Sequence, residues 1–141
     1  MADVLTPEQR SRCMSAVRDR NTVPELFLRR LLHSLGYRYR IHDSRLPGKP
    51  DLVFPKRRKA IFVHGCFWHR HNCKSGRSLP STRRAFWTKK LQGNQKRDRR
   101  QALKLRKSGW KVLTVWQCQL KETKAEDTLS RVISFLGAEY I

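Results

Sequence analysis

The sequence has no apolar run long enough to cross a bilayer, and its N-terminus, with Asp3, Glu8 and Arg10, has no signal-peptide core. Both absences predict an intracellular protein with no membrane role. Acid is short as well: 11 Asp and Glu stand against 32 Lys and Arg, a net charge of +21 over 141 residues. That excess is far beyond what solubility needs and predicts a polyanionic partner. A solvated basic face or a membrane-surface patch would explain a local excess, but here the charge runs through the whole chain and no basic amphipathic helix stands alone. Charge does not separate DNA from RNA. Cysteine is scarce too: four thiols in a chain of this length do not suggest a disulfide framework, and three of them have metal-like company. Cys13 is the odd one, read as a reduced, partly buried side chain. Internal repeats are missing, so residues 1–141 read as one domain.

What is present is concentrated in Ile61-Phe62-Val63-His64-Gly65-Cys66-Phe67-Trp68-His69-Arg70-His71-Asn72-Cys73. The stretch opens as an apolar run able to form a buried strand, then supplies two thiols, three imidazoles and two aromatics. Packing alone does not call for that mixture. Cys66, His71 and Cys73 carry ligands that a tetrahedral zinc accepts, and a closed structural site wants one more. Cys118 supplies it if the strand Lys111–Trp116, coming after a helix, returns parallel to the sheet. His64 and His69 are then left for other work. In a polyanion-binding protein the usual target is a phosphodiester, whose hydrolysis needs a metal for the charge and a base for the water. Asp51 can give Mg2+ a carboxylate, a carbonyl such as that of Val63 can be another ligand, and His64 or His69 can be the base. Alone, Asp51 reads as a turn acid and each histidine as a core or zinc-shell residue. Together they favour chemistry.

Around this stretch the pattern alternates helix and strand. Thr6-Pro7-Glu8-Gln9 starts a basic N-terminal helix on which Met14 and Val17 pack on the body, with a minor-groove wedge as the sharper alternative. A second capping box, Thr22 to Glu25, starts a helix with the stripe Leu28, Leu31, Leu32, Leu35, closed by Gly36, so that Glu25 reads first as a capping carboxylate. Strands are expected over Tyr37–Ile41, Asp51–Phe54 and Ile61–Val63. A turn near residues 56 to 58 would make the last two antiparallel, with Asp51 roughly opposite His64. Residues 74 to 80 read as a flexible basic loop. Ser81 or Thr82 caps a strongly basic helix through Phe86, Trp87 and Leu91, with a break at Gly93 and a continuation to Ser108, and Asp98 stands in it as a lone acid among cations. The last helix has a third capping box, Thr123 to Glu126, and the stripe Leu129, Val132, Ile133, Leu136 before Gly137. Phe67 and Trp68 are adjacent within a polar loop, so both are hard to bury on one face, and insertion between bases is a physical use for them.

In order, Pro47-Gly48-Lys49-Pro50-Asp51, Phe62-Val63-His64-Gly65-Cys66-Phe67-Trp68-His69 with His71 and Cys73, Phe86-Trp87, Arg97-Asp98-Arg99-Arg100, Gly109-Trp110 and Val115-Trp116 with Cys118 closely resemble the very-short-patch repair (Vsr) endonucleases over about residues 8 to 120. The resemblance implies an α/β, restriction-endonuclease-like fold and nicking of duplex DNA 5′ to the T of a T:G mismatch, the lesion left when 5-methylcytosine deaminates. It implies Asp51 as the magnesium carboxylate with the Val63 carbonyl, His69 as the base and His64 at the scissile phosphate. Glu25 and Asp98 correspond to acids that bind the metals' waters, and Cys66, His71, Cys73 and Cys118 to structural zinc ligands. Phe67, Trp68 and Trp87 correspond to the aromatic wedge beside the mismatch, Met14 to the helix within residues 1–20 that clasps the minor groove, and Lys90 and Asn94 are the base-reading candidates. The implied partner is double-stranded DNA carrying a T:G mismatch, read by a monomer, with mismatch-repair proteins as a further candidate partner. Arg70 and Asn72 depart from histidines found in some members. The other readings are a related nicking enzyme with broader mismatch specificity and a non-catalytic, zinc-stabilised nucleic-acid-binding module.

Overall fold

A computed structural model describes residues 21–137; the expected N-terminal helix, with Met14 and Cys13, lies outside them. The described chain is mixed α/β. Strands β1 (Arg40–Ile41), β2 (Leu52–Phe54), β3 (Lys59–His64) and β4 (Lys111–Trp116) form one sheet in the order β1-β2-β3-β4. The first two pairings are antiparallel and β3 with β4 is parallel, as expected for a strand returning after a helix. The helices are α1 (Val23–Ser34), α2 (Lys74–Arg77), α3 (Arg84–Lys107) and α4 (Ala125–Leu136). Among the described residues no helix is long and apolar enough to cross a membrane.

The apolar periodicities find one another in the core. Leu28 and Leu32 of α1 and Val132 and Leu136 of α4 pack with Tyr37, Leu52, Phe54, Ile61 and Val115. Val53, Ala60 and Phe62 alternate with these along β2 and β3 and are buried as well, which is why β2 and β3 read as continuous apolar runs. Helix α3, with Leu91 and Leu105 fully buried, packs against β4. The basic hairpin Lys56–Lys59 has a structural use: Arg57 and Lys59 donate to the Leu136 and Phe135 carbonyls (2.7 and 2.6 Å), covering the orphan acceptors at the end of α4. Gly48 turns the chain into Asp51 at φ +79°, and a Cβ there would come within 2.9 Å of Gln101 and 3.1 Å of Phe62.

Several local expectations are corrected. Only Arg40 and Ile41 of the expected 37–41 strand join the ladder, because Tyr37 is drawn into the core instead. Thr22 caps α1, but the Glu25 carboxylate reaches past it to the Asn21 N–H (2.9 Å). Helix α3 runs unbroken through Gly93, which lies in open space; an exposed mid-helix glycine costs about 1 kcal/mol, and buried Leu91 and Leu105 anchor the helix on either side. Its N-cap is Arg83 in left-handed geometry, with no side-chain cap from Ser81 or Thr82. The supposed loop after Cys73 contains α2, capped by the Cys73 sulfur accepting from Gly76 N–H (3.3 Å). Helix α4 begins after Lys124, with no box at Thr123; Thr128 instead bonds the Gln119 carbonyl (2.5 Å).

Candidate active site

Three clusters gather at the end of the sheet where β3 and β4 stop. Because the two strands are parallel and His64 lies opposite Trp116, the loop after β3 and the turn after β4 leave at one level. Cys66 then meets Cys118, whose N–H donates to the Cys66 sulfur (3.4 Å). The chain folds back through Arg70, at φ +54°, so that His71 N–H bonds the Cys66 carbonyl (3.0 Å). Gly76 packs so tightly on the His71 backbone that no Cβ fits there. The donor atoms of Cys66, His71, Cys73 and Cys118 all lie within 4.8 Å of one another, with His71 Nδ1 3.4 Å from the Cys118 sulfur and 3.8 Å from that of Cys66. A tetrahedral zinc holds its nitrogen and sulfur donors roughly 3.5 Å apart, so this is a possible metal site whose donor set fits the ion. Burial pushes the Cys66 thiol up to about 12, whereas the Gly76 N–H lowers that of Cys73. The His71 ring stacks on Trp116 at 4.4 Å.

The second cluster is built of harder donors. Asp51 stands just before β2; with Leu52 opposite Ile61, the ladder places it beside Phe62, two residues short of the expected His64. Its Oδ2 accepts from the Val63 N–H (2.7 Å). Glu25 comes from α1 and His42 from the end of β1, and one donor atom of each lies within 4.8 Å of the others. The carboxylates are out of water, Glu25 at 1% and Asp51 at 8% exposure. Burial, with the adjacent Glu25 charge adding to it, pushes Asp51 up to about 8, partly opposed by the Val63 N–H. Arg29 pairs with Glu25 (2.8 Å), but among the described residues no Lys or Arg pairs with Asp51, so the two buried carboxyls favour a shared proton or a cation between them, and this oxygen-rich set suits a hard divalent ion.

The third cluster joins His64, His69 and Asp98. The imidazoles stack nearly parallel, 3.8 Å between centroids, and Asp98 Oδ2 lies 2.5 Å from His69 Nδ1. Burial, and then the neighbouring His69, pull His64 down to about 4, so it stays neutral near neutrality. Its Nδ1 is buried without a hydrogen-bond partner. Asp98 therefore touches the expected base itself.

Phe67, Trp68 and Trp87 form one aromatic group with centroids 5.2 to 6.0 Å apart. Trp87 is the buried member of the three, with Phe67 and Trp68 half-exposed above it. Asn94 donates to the Trp68 carbonyl (3.1 Å) and accepts from Arg97 (3.0 Å), while Lys90 is exposed in a shallow cleft of about 470 Å3 with Phe86, Lys89, Arg97 and Arg100. The sequence reading missed His42 altogether. Its one available sign was a histidine five residues before the rigid Pro47-Gly48 turn that delivers Asp51, which is too weak to act on alone.

Carboxylates and paired imidazoles at one sheet end, flanked by a basic helix, are the equipment of a metal-assisted nuclease. Comparison with known proteins agrees. The family model for DNA mismatch endonuclease Vsr matches residues 2–75. The type II nicking enzyme V.XorIIP of Xanthomonas oryzae pv. oryzae is 49% identical over 133 residues, covering 94% of this chain and 97% of its own. The DNA mismatch endonuclease Vsr of Escherichia coli is 45% identical over 121 residues, covering 86% and 77%. The type II nicking enzyme V.NmeAIP of Neisseria meningitidis is 38% identical over 134 residues, covering 94% and 95%. The chain belongs to the Vsr DNA mismatch endonuclease family and is an endodeoxyribonuclease.

Proposed function

We propose that the protein nicks duplex DNA 5′ to the T of a T:G mismatch arising from 5-methylcytosine deamination, using Mg2+ for catalysis and Zn2+ for structure. The reading extends to a single restriction-endonuclease-like domain over residues 1–141, with residues 1–20 as a DNA clasp. The observation that supports it most is that a buried carboxylate, Asp51, held on the Val63 N–H, and a carboxylate-oriented imidazole, His69, stacked on His64, are both anchored at the same end of β3.

Asp98 takes the His69 Nδ1–H, which leaves Nε2 as the free lone pair facing the reaction. Nε2 accepts a proton from water as the water oxygen bonds to phosphorus and the leaving oxygen departs on the opposite side. Neutral His64 donates a hydrogen bond to a phosphate oxygen through Nε2, its Nδ1 being buried, and does so without adding charge. Asp51, with the Val63 carbonyl and the nearby Glu25, would hold Mg2+, which supplies positive charge to the phosphoryl oxygens and acidifies water. Cys66, His71, Cys73 and Cys118 would hold Zn2+ and so fix the loop that carries His69 between them. Phe67 and Trp68, supported by Trp87, enter the stack at the mismatch, where the weakened pair costs least to unstack. Lys90 is the free base-reading side chain, because Asn94 already bonds Trp68 and acts there through the wedge.

The test incubates protein and Mg2+ with duplexes that differ only in T:G against C:G at one position, labelled separately on each strand. A nick on the T strand of the mismatched duplex alone is expected. No T-strand nick in any cytosine-methyltransferase site context would overturn the reading.

A further inference from the structure

His42 touches both carboxylate-bearing residues of the second cluster, and by different groups. Its Nε2 lies 2.6 Å from Glu25 Oε2, and its main-chain N–H donates to the Asp51 carbonyl (3.3 Å). Glu25 does not need this contact to be neutralised. Arg29 already lies 2.8 Å from the same oxygen, one turn along α1, and the Asn21 N–H serves the other. His42 therefore adds direction rather than charge: Arg29 and Asn21 hold Glu25 from its own helix, while His42 draws it from the sheet side.

The backbone supports this. His42 sits at φ +48°, a left-handed conformation uncommon for residues with a side chain but one in which His, like Asn and Asp, is enriched. That turn lets one residue leave the β1 edge with its N–H on Asp51 and its ring on Glu25. The side chain is only 12% exposed, so the imidazole is packed into place.

The geometry points to His42 as a positioning residue that sets the separation of the Glu25 and Asp51 carboxylates for a divalent cation. This rests on the reading of Asp51 as the magnesium carboxylate. His42 Nε2–H donates to Glu25, and it is not itself a ligand.

Direct Mn2+ binding to the zinc-loaded protein, followed by electron paramagnetic resonance, tests it apart from activity. Asn tolerates the left-handed backbone but is too short to reach Glu25, so His42→Asn removes the contact while leaving the turn. It is expected to weaken Mn2+ binding by about 10- to 100-fold, the range for an orienting partner of a metal ligand. His42→Gln, which can place an amide N–H near the same point, should bind closer to the parent than to His42→Asn, and raising Mg2+ should recover nicking by His42→Asn. Unchanged Mn2+ binding by His42→Asn, or His42→Gln no better than His42→Asn, would overturn the positioning role. So would a nitrogen coupling to bound Mn2+ that His42→Asn abolishes, which would make His42 a ligand. Asp51→Ala binding Mn2+ as the parent does would show instead that the underlying metal reading is wrong.

Discussion

The thiol cluster and the carboxylate cluster are opposites in construction. Three of the four thiol-site residues lie within eight positions of one another, and the fourth is brought by a strand pairing; hydrogen bonds inside the loop close the set on itself. The carboxylate site takes one residue from each of three elements, Glu25 from α1, His42 after β1 and Asp51 before β2, and keeps two acids buried against each other. Soft donors on a local loop make a fastener. Hard donors spread over the fold keep buried acids together, an arrangement that a bound cation would relieve and that is enriched at functional sites.

Substitutions should split along this line. The largest effect on rate is expected at the base: His69→Ala should slow nicking by about 10²- to 10⁴-fold in single-turnover assays while zinc content and DNA affinity hold. Nicking equal to the parent's would remove His69 from that role. Asp98→Asn, which leaves His69 in place but loosens its tautomer, should fall between His69→Ala and the parent in the same assay. Cys118→Ser should instead lower zinc content and the thermal midpoint together, since a structural zinc contributes directly to folding; retention of both would detach Cys118 from the site.

A smaller effect sharpens the contrast by pH. Asp51 has a folded-state pKa raised to about 8 from 3.8, so between those values the folded protein holds more protons and loses stability as pH rises. Without Mg2+, Asp51→Asn should therefore be stabilising at pH 8, on the order of 5 °C in thermal midpoint, and much less so at pH 5, although it cannot nick. His64 works in the other direction: lowered to about 4 from 6.5, its stabilising contribution is lost as pH falls through that interval. A flat pH dependence of the Asp51→Asn difference would mean that the carboxyl is not strained.

The two clusters also differed in how far the sequence revealed them. Cys66, His71 and Cys73 were legible from spacing, and Cys118 followed from the single inference that β4 returns parallel. Asp51 was legible as a sheet-end acid, but its register was misjudged by two residues because the 3-10 turn at Pro55–Arg57 sets the hairpin. His42 was invisible, since a left-handed turn leaves no periodic signature. The capping boxes were the least dependable guide. Thr22 caps its helix, but the Glu25 carboxylate goes to the Asn21 N–H, Arg29 and His42 rather than to the Thr22 N–H, and Thr123 lost to a later helix start, because a capping motif worth about 1 kcal/mol yields to other partners. Nor could the charges of Arg57 and Lys59, spent on the end of α4, be told from those left free on α3.

The most direct test of this division of labour is one preparation of Asp51→Ala, assayed for bound zinc and for strand-specific nicking of a T:G duplex in Mg2+. The account predicts zinc near one per chain, as in the parent, and no nick. Nicking at the parental rate, or loss of the zinc along with the activity, would contradict it.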